Sequence, residues 1–258
     1  LQGRISLTTR QEAADRLREL VHGARRIVVF TGAGISTESG IPDFRSPGGL
    51  WTLNKPIDFS DFIVSEEMRR ENWRRKIEVD KTMKIAEPNR GHLAVAALVS
   101  RGIASAVITQ NVDGLHQKSG VPDEQVIELH GNSTYATCLD CNTRYELEAI
   151  KSAFEIDETL PTCTFCGGII KQATISFGQA MPVEAMQRAQ EATLDCDLFL
   201  TIGSSLVVYP AAGFPVLAKD NGSTLVILNR DATDLDTFAD LVINDEIGPT
   251  LSDAVGLN

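Results

Sequence analysis

Short apolar runs alternate with amphipathic stretches along most of the chain. Ala14, Leu17, Leu20 and Val21 share one face of a helix over residues 9–22. Ile27-Val28-Val29-Phe30 is an unbroken apolar run rich in β-branched side chains, which reads as a strand, and Gly32-Ala33-Gly34 follows at once as a glycine turn. Residues 40–83 depart from the alternation. They hold Pro42, Pro47 and Pro56, both tryptophans and a charged stretch from Glu66 to Arg75, which predicts a loop followed by one or two short helices inserted between elements of a sheet. Residues 89–100 are helical, capped by Asn89, with Leu93, Ala96, Ala97 and Leu98 as the expected buried face. Strands follow at 104–108 and 126–129, the second ending at His130-Gly131. Residues 132–173 show little helical pattern. A helix over 182–193, a strand over 198–202, a helix near 211–219 and strands over 225–228 and 240–243 complete the set.

Strands alternating with helices predict a parallel sheet covered on both faces. In such sheets ligands bind at the carboxyl ends of the strands. Five of the expected strand ends carry small or polar clusters: Gly32-Ala33-Gly34, Gln110-Asn111, His130-Gly131, Gly203-Ser204-Ser205 and Asn229-Arg230. A hydrophobic core has no use for these residues, and together they outline a ligand crevice.

Composition narrows the class. The 258 residues suit one main domain with a sizeable insertion. A net charge of −11, from 24 basic and 35 acidic residues, argues against non-specific nucleic-acid binding, which needs a basic face. It is compatible with a basic partner such as a lysine-containing tail, and equally with a charge that only keeps the protein soluble. No apolar run reaches the length of a membrane span, and no signal peptide is visible. The sequence opens on Leu1-Gln2-Gly3 without Met, which points to a start that is missing or replaced. Four of the five cysteines form two C-x-x-C pairs, a spacing that favours metal over disulfides and a reducing, cytoplasmic setting.

The chemistry-bearing stretches have competing readings. Gly32-x-Gly34 after a strand lets the backbone approach a phosphate and present N–H groups, but many such pairs are plain turns. The dehydrogenase fingerprint requires a third glycine where this chain has Thr37. Cys138-x-x-Cys141 and Cys163-x-x-Cys166, with 21 residues between the pairs, suit tetrahedral Zn²⁺. Four cysteine ligands leave no open position, so this zinc is structural and holds a small lobe that lacks a core of its own. The alternative, two redox pairs, fits less well because neither pair opens a helix after a strand. Cys196 lies beside a strand as ordinary core. His130 shares an edge with Asn111 and Asp113, which makes it the candidate general base. His22, His92 and His116 lack such a setting, and His92 is expected only to cap or pack. The loop Gly40-Ile41-Pro42-Asp43-Phe44-Arg45 either closes over a ligand or is a proline-rich crossover with a solvated arginine.

Taken together, these residues resemble the sirtuins, the NAD⁺-dependent protein-lysine deacylases. The matching stretches are Gly32-Ala33-Gly34-Ile35-Ser36, Gly40 to Arg45, Thr109-Gln110-Asn111-Val112-Asp113, His130-Gly131, the four cysteines, Gly203-Ser204-Ser205-Leu206 with Pro210, and Asn229. They occur in the family's order from residue 32 to 230, and the ordered set is far more specific than any one motif. The resemblance implies an α/β fold with a Rossmann-type doubly wound parallel sheet. It assigns residues 1–40, 84–131 and 174–258 to this large domain, 41–83 to a loop and helical insertion, and 132–173 to a zinc ribbon. The insertion and the ribbon make the small lobe, and NAD⁺ and an acyl-lysine enter between the lobes.

By the same resemblance, Asn111 and Asp113 orient the ribose and carboxamide of NAD⁺, with Gln110 near the ribose hydroxyls and Ser36 part of the same pocket. Gly32, Ala33 and Gly34 accommodate the phosphates. Asp43 belongs to the covering loop, in which Phe44 shields the reactive ribose and Arg45 holds phosphates or ribose. Gly203, Ser204, Ser205, Asn229 and Arg230 face the adenosine half, and the backbone near Glu246 touches adenine. His130 is the implied base in a reaction giving deacylated lysine, nicotinamide and O-acetyl-ADP-ribose. Polar groups at the end of the buried strand before Gln110 are then tolerable, because a polar ligand satisfies them.

Two departures bear on specificity. Phe177-Gly178-Gln179-Ala180-Met181-Pro182 has Gln179 where the family often has Glu, in a strand that pairs with the substrate backbone. Members that prefer acidic acyl groups carry Tyr-x-x-Arg in the insertion; Glu71-Asn72-Trp73-Arg74 aligns there, and Glu71 is expected to favour acetyl or another neutral acyl. Acyl-lysine proteins are the implied partners, with neither nucleic acid nor membrane. The rival readings are ADP-ribosyl transfer to a protein, a non-catalytic NAD-binding module with a zinc ribbon, and a dehydrogenase, which Thr37 disfavours.

Overall fold

The computed structural model describes residues 9–43, 49 and 55–257. Helix α1 (Arg10–Gly23) begins with a capping box: Thr9 accepts from Glu12 N, and the Glu12 carboxylate accepts from Thr9 N. It leads into β1 (Ile27–Thr31), and a tight 3-10 segment follows over Ala33–Ser39. Two helices come next, α2 (Phe59–Val64) and α3 (Glu66–Ile85), then α4 (Arg90–Ser100) and β2 (Ala104–Thr109). A single turn, α5 (Leu115–Lys118), precedes β3 (Val126–Glu128), β4 (Gly131–Cys138) and β5 (Arg144–Glu146). Helix α6 (Leu147–Asp157) and β6 (Ile170–Thr174) close the ribbon region. The chain then runs through α7 (Val183–Asp195), β7 (Leu198–Ile202), α8 (Gly213–Asp220), β8 (Thr224–Leu228), β9 (Leu241–Ile243) and α9 (Ile247–Val255).

Six strands form one sheet in the order β3-β2-β1-β7-β8-β9, and every pairing in it is parallel. Alternation along β1 sends Ile27 and Val29 to one face and Val28 and Phe30 to the other. The first face is covered by α1, α4 and α9 through Leu17, Leu98 and Leu251. The second is covered by α7 and α8 through Ala189 and Phe214. Strand order reverses at β1, whose neighbours are β2 on one side and β7 on the other. The carboxyl ends of β1, β2 and β7 meet at that switch point, the place where open parallel sheets bind ligands.

A second, antiparallel sheet has the order β5-β4-β6. Trp73 and Ile77 of α3 share one core with Ala136, Cys138, Ile150, Phe154, Cys163 and Ile170, so the insertion and the cysteine-bearing ribbon bury their apolar faces against each other. Among the described residues no helix is long and apolar enough to cross a membrane.

Three expectations need correction. Residues 132–173 do contain a helix: Leu147, Ile150 and Phe154 of α6 recur at helical spacing and are buried. The second insertion helix is not short, since α3 runs for 20 residues and ends at Ile85, past residue 83. The buried face of α4 is Ala94, Val95, Leu98 and Val99, while Leu93 is 48% exposed. Leu98 belongs to both sets, and the observed face also takes in Gly91 and His92.

Candidate active site

The carboxyl edge of the large sheet is a row of polar strand ends. In spatial order it carries His130 beyond β3, Gln110 to Asp113 beyond β2, Gly32 to Ser36 beyond β1, Gly203 to Ser205 beyond β7, Asn229 and Arg230 beyond β8, and Glu246 beyond β9. The glycines let the β1 and β7 loops touch. A Cβ on Gly34 would lie 2.7 Å from the Gly203 Cα, and one on Gly32 would lie 2.8 Å from the Gly203 carbonyl oxygen. Gly203 itself is at φ +63°, a conformation that favours glycine. Gly32 N–H donates to Ile202 O at 3.0 Å and Gly34 N–H to Gly203 O at 2.8 Å. The glycine spacing thus serves loop-on-loop packing, and these two N–H groups are already engaged.

Ser36, buried at 1% exposure, joins the ends of β1 and β2. Its hydroxyl donates to Asp113 Oδ2 at 2.7 Å and accepts from Asn111 Nδ2 at 3.1 Å. Asp113 Oδ1 accepts from Leu115 N at 3.0 Å, so both carboxylate oxygens are held. Asn111 is nearly buried at 6% exposure, and its backbone N–H donates to Thr109 Oγ1 at 3.0 Å. Ser36, Asn111 and Asp113 come from two neighbouring strand ends and form one fixed set.

Two histidines stand behind this set, and the sequence pattern did not reveal them as part of it. His92 is fully buried; its Nδ1 accepts from Asn89 N at 3.3 Å, and its Nε2 lies 3.4 Å from Ser36 Oγ. Nδ1 is therefore the unprotonated nitrogen, and Nε2–H is directed at Ser36. The capping role expected for His92 is real, and the contact with Ser36 is the addition. His116 Nε2 lies 2.9 Å from Thr31 Oγ1, and the rings of His92 and His116 meet edge to face with centroids 5.2 Å apart. Burial lowers the proton affinity of both, His92 to about 4 and His116 to about 3, with Asp113 partly opposing the shift at His92. Both are neutral at pH 7.

His130 occupies the turn between β3 and β4. Its Nδ1 is 2.9 Å from the Gln110 carbonyl oxygen. A carbonyl only accepts, so Nδ1 carries the proton and Nε2 keeps its lone pair. Burial pushes the proton affinity of His130 below its ordinary value, and the bond to Gln110 O partly restores it. The side chain of Gln110 points the other way and donates to Ser204 Oγ at 2.7 Å, tying the β2 end to the β7 end. Gly131 is at φ +75°, and a Cβ there would run into the Ala173 carbonyl, so the turn that presents His130 needs glycine.

The remaining expected residues spread outward. Ser205, Arg230 and Glu246 are exposed, and Asn229 is half-buried with its Nδ2 donating to Asp231 O at 2.7 Å. Asp43 is half-buried, whereas Phe44 and Arg45 lie outside the described residues. A sheet edge that carries amide, hydroxyl and one carboxylate, with an unprotonated imidazole nitrogen alongside, matches the hydroxyl and amide groups of a nucleotide such as NAD.

The four cysteine Sγ atoms all lie within 4.8 Å of one another. Cys138 to Cys166 is 3.5 Å and Cys141 to Cys163 is 3.6 Å. A tetrahedron with Zn–S bonds of about 2.3 Å has edges of about 3.8 Å, so the thiols fit one zinc ion with little adjustment. The Tyr145 hydroxyl donates to Cys163 Sγ at 3.1 Å and helps to bring that thiol down to about 6, which favours the ligating thiolate.

A sequence profile of the Sir2 family matches residues 32–210. The NAD-dependent protein deacetylase 1 of Bradyrhizobium diazoefficiens is 54% identical over 253 residues, spanning 98% of this chain and 99% of its own. An NAD-dependent protein deacetylase of Rhodopseudomonas palustris is 53% identical over 242 residues, spanning 94% of this chain and 96% of its own. A solved complex described as Sir2, p53 peptide and NAD⁺ has a TM-score of 0.84 at 35% identity, covering 94% of this chain and 98% of that one. A solved Sir2 variant with deacetylated p53 peptide and 3′-O-acetyl ADP-ribose has a TM-score of 0.86 at 35% identity, covering 93% and 96%.

Proposed function

This chain belongs to the Sir2 family, and from that premise we propose that it is an NAD-dependent protein-lysine deacetylase, releasing nicotinamide and O-acetyl-ADP-ribose. One observation carries the reading: His130, with Nε2 unprotonated, stands at the same sheet edge as the fixed set of Ser36, Asn111 and Asp113. NAD⁺ supplies, when bound, a ribose carbon whose bond to nicotinamide can break. Asn111 and Asp113 orient the ribose and carboxamide, and Ser36 holds both side chains in place. Gln110 and Ser204 bridge toward the adenosine half, where Gly203, Ser205, Asn229, Arg230 and Glu246 lie. Asp43 and Ala33, on the segment after β1, would face the bound nucleotide.

His130 Nε2 would serve as the general base toward a ribose hydroxyl of the bound nucleotide. Its lowered proton affinity keeps it in the free-base form at neutral pH. Cys138, Cys141, Cys163 and Cys166 hold a structural zinc that fixes the ribbon against α3. The substrates are proteins carrying acetylated lysine, and the net charge of −11 suits basic flanking sequence. Two C-x-x-C pairs gathered as metal-type thiols, in place of disulfides, fit the reducing cytoplasmic setting that we propose.

Incubation with an acetyl-lysine peptide should give nicotinamide in equal amount to deacetylated peptide, only when NAD⁺ is present. ADP-ribose transferred to protein in place of deacetylation would favour a transferase instead.

A further inference from the structure

The two strands beside the switch point end in threonines that face each other. Thr31 closes β1, Thr109 closes β2, and the two are partners in the parallel register. Thr31 has the parity of Ile27 and Val29, so its side chain lies on the sheet face that α4 covers. His116, the second residue of α5, reaches the same place, and all three side chains are buried. Apolar side chains of similar size would pack there without the cost of burying polar groups. A buried polar cluster that is fully connected instead fixes the position of whatever it joins.

The hydrogen bonds of this cluster run in one direction. Asn111 N–H donates to Thr109 Oγ1 at 3.0 Å, and the Thr31 hydroxyl donates to the same oxygen at 2.8 Å. The single hydroxyl proton of Thr31 is then committed. At the 2.9 Å contact with His116 Nε2 the threonine therefore accepts, and the imidazole donates. Burial keeps His116 neutral at pH 7, its proton affinity lowered to about 3, so its one N–H is on Nε2. The chain runs from His116 to Thr31 to Thr109, and Asn111 N–H closes on Thr109 from the other side. Thr31 also accepts Gln110 N–H on its backbone carbonyl at 2.9 Å.

Between Thr109 and α5 the backbone makes the bend that carries Asn111 and Asp113. Gly114, at φ +70°, turns it into α5, and Asp113 Oδ1 accepts from Leu115 N at 3.0 Å. His116 returns from the far end of this bend to the end of β1. The His116 ring also meets the ring of His92, which stands behind Ser36. The side chains of Asn111 and Asp113 are thus held through Ser36 with His92 behind it, and the backbone of Asn111 through Thr109 with Thr31 and His116 behind it.

We propose that His116 is a positioning residue for the cofactor: from inside the core, through Thr31 and Thr109, it sets the backbone that carries Asn111 and Asp113, and with it the affinity for NAD⁺. This rests on the function proposed above. The test measures NAD⁺ affinity by calorimetry, and KM for NAD⁺ and for an acetyl-lysine peptide, on the wild-type protein, His116→Leu, His116→Gln, Thr31→Val and the double variant of His116→Leu with Thr31→Val. His116→Leu should weaken NAD⁺ binding and raise its KM roughly tenfold, as expected for one lost buried hydrogen bond, and leave the peptide KM unchanged. His116→Gln, whose amide N–H takes the place of Nε2–H, should restore most of the affinity. Thr31→Val exchanges only a hydroxyl for a methyl and should match His116→Leu. The double variant should bind NAD⁺ about as well as either single one, because both changes cut the same chain. Thermal melts check that the variants fold, and Thr31→Val against Thr31→Ser carries the comparison if His116→Leu does not. Unchanged NAD⁺ affinity in folded variants, a peptide KM that rises in step, or losses that multiply in the double variant would overturn the positioning role alone. A wild-type protein that binds no NAD⁺ would overturn the proposed function with it.

Discussion

A histidine acts as a base through the nitrogen that has no proton, and Gln110 O fixes that nitrogen at His130 as Nε2. His130→Ala should therefore lower kcat by roughly two to four orders of magnitude, the usual contribution of a positioned base. NAD⁺ affinity measured by calorimetry should change little, and an unchanged turnover would remove His130 from the mechanism. Ser36 has a different role. One hydroxyl serves Asn111, Asp113 and His92, and Ser36→Ala leaves all three without their shared partner. We expect about 1–3 kcal/mol of lost stability by urea unfolding, together with a raised KM for NAD⁺. The place of His130 at the sheet edge was legible in the sequence because it ends a strand beside a glycine, and the clustering of the four cysteines was legible because metal spacing is local. His92 and His116 were not. Their partners Ser36 and Thr31 arrive from other elements, and a buried histidine on an apolar helix face looks like packing until those partners are in place.

Helix α4 shows how one element positions another. Asn89 caps it by accepting from Gly91 N at 2.8 Å, and its Nδ2 donates to Ile35 O at 2.7 Å and Ser39 Oγ at 2.9 Å. The cap therefore also pins the 3-10 segment that bears Ser36. Asn89→Ala should cost about 1–2 kcal/mol in denaturant unfolding, and should weaken NAD⁺ binding more than an ordinary cap mutation would. The ribbon depends on its thiols. Cys141→Ser or strong chelation should release zinc and unfold the lobe built on Trp73, Phe154 and Ile170, read as lost protease resistance there while the parallel sheet persists. Most strands were legible from apolar runs and the turns that end them. Helix α6 was obscured by the cysteines on either side of it. Helix α9 escaped because Gly248-Pro249 reads as a breaker, although proline is tolerated in a first turn, and Ile247, Leu251 and Val255 then recur along one buried face.

Over the whole molecule, the buried histidines set the response to acid. In the folded protein His92 and His116 bind protons only near pH 4 and pH 3, against about 6.5 in an unfolded chain. The unfolded state thus holds more protons between those values, and stability is present above about pH 6.5 and declines as the pH falls through that window. Each histidine contributes on the order of 1 kcal/mol per pH unit there. Urea midpoints should drop from pH 7 to pH 5, and His116→Gln should flatten that slope. The parallel sheet sets His130 and the polar strand ends along one edge, and the insertion helix packs on the ribbon that follows His130; the proposed NAD-dependent deacylation is assigned to that edge. The most direct measurement is mass analysis of the products from an acetyl-lysine peptide and NAD⁺, run in parallel on the wild-type protein and on His130→Ala. The account predicts free lysine peptide, nicotinamide and O-acetyl-ADP-ribose from the wild-type protein, and almost none of these from the variant. Deacetylation without NAD⁺, or the same products from His130→Ala at an undiminished rate, would contradict it.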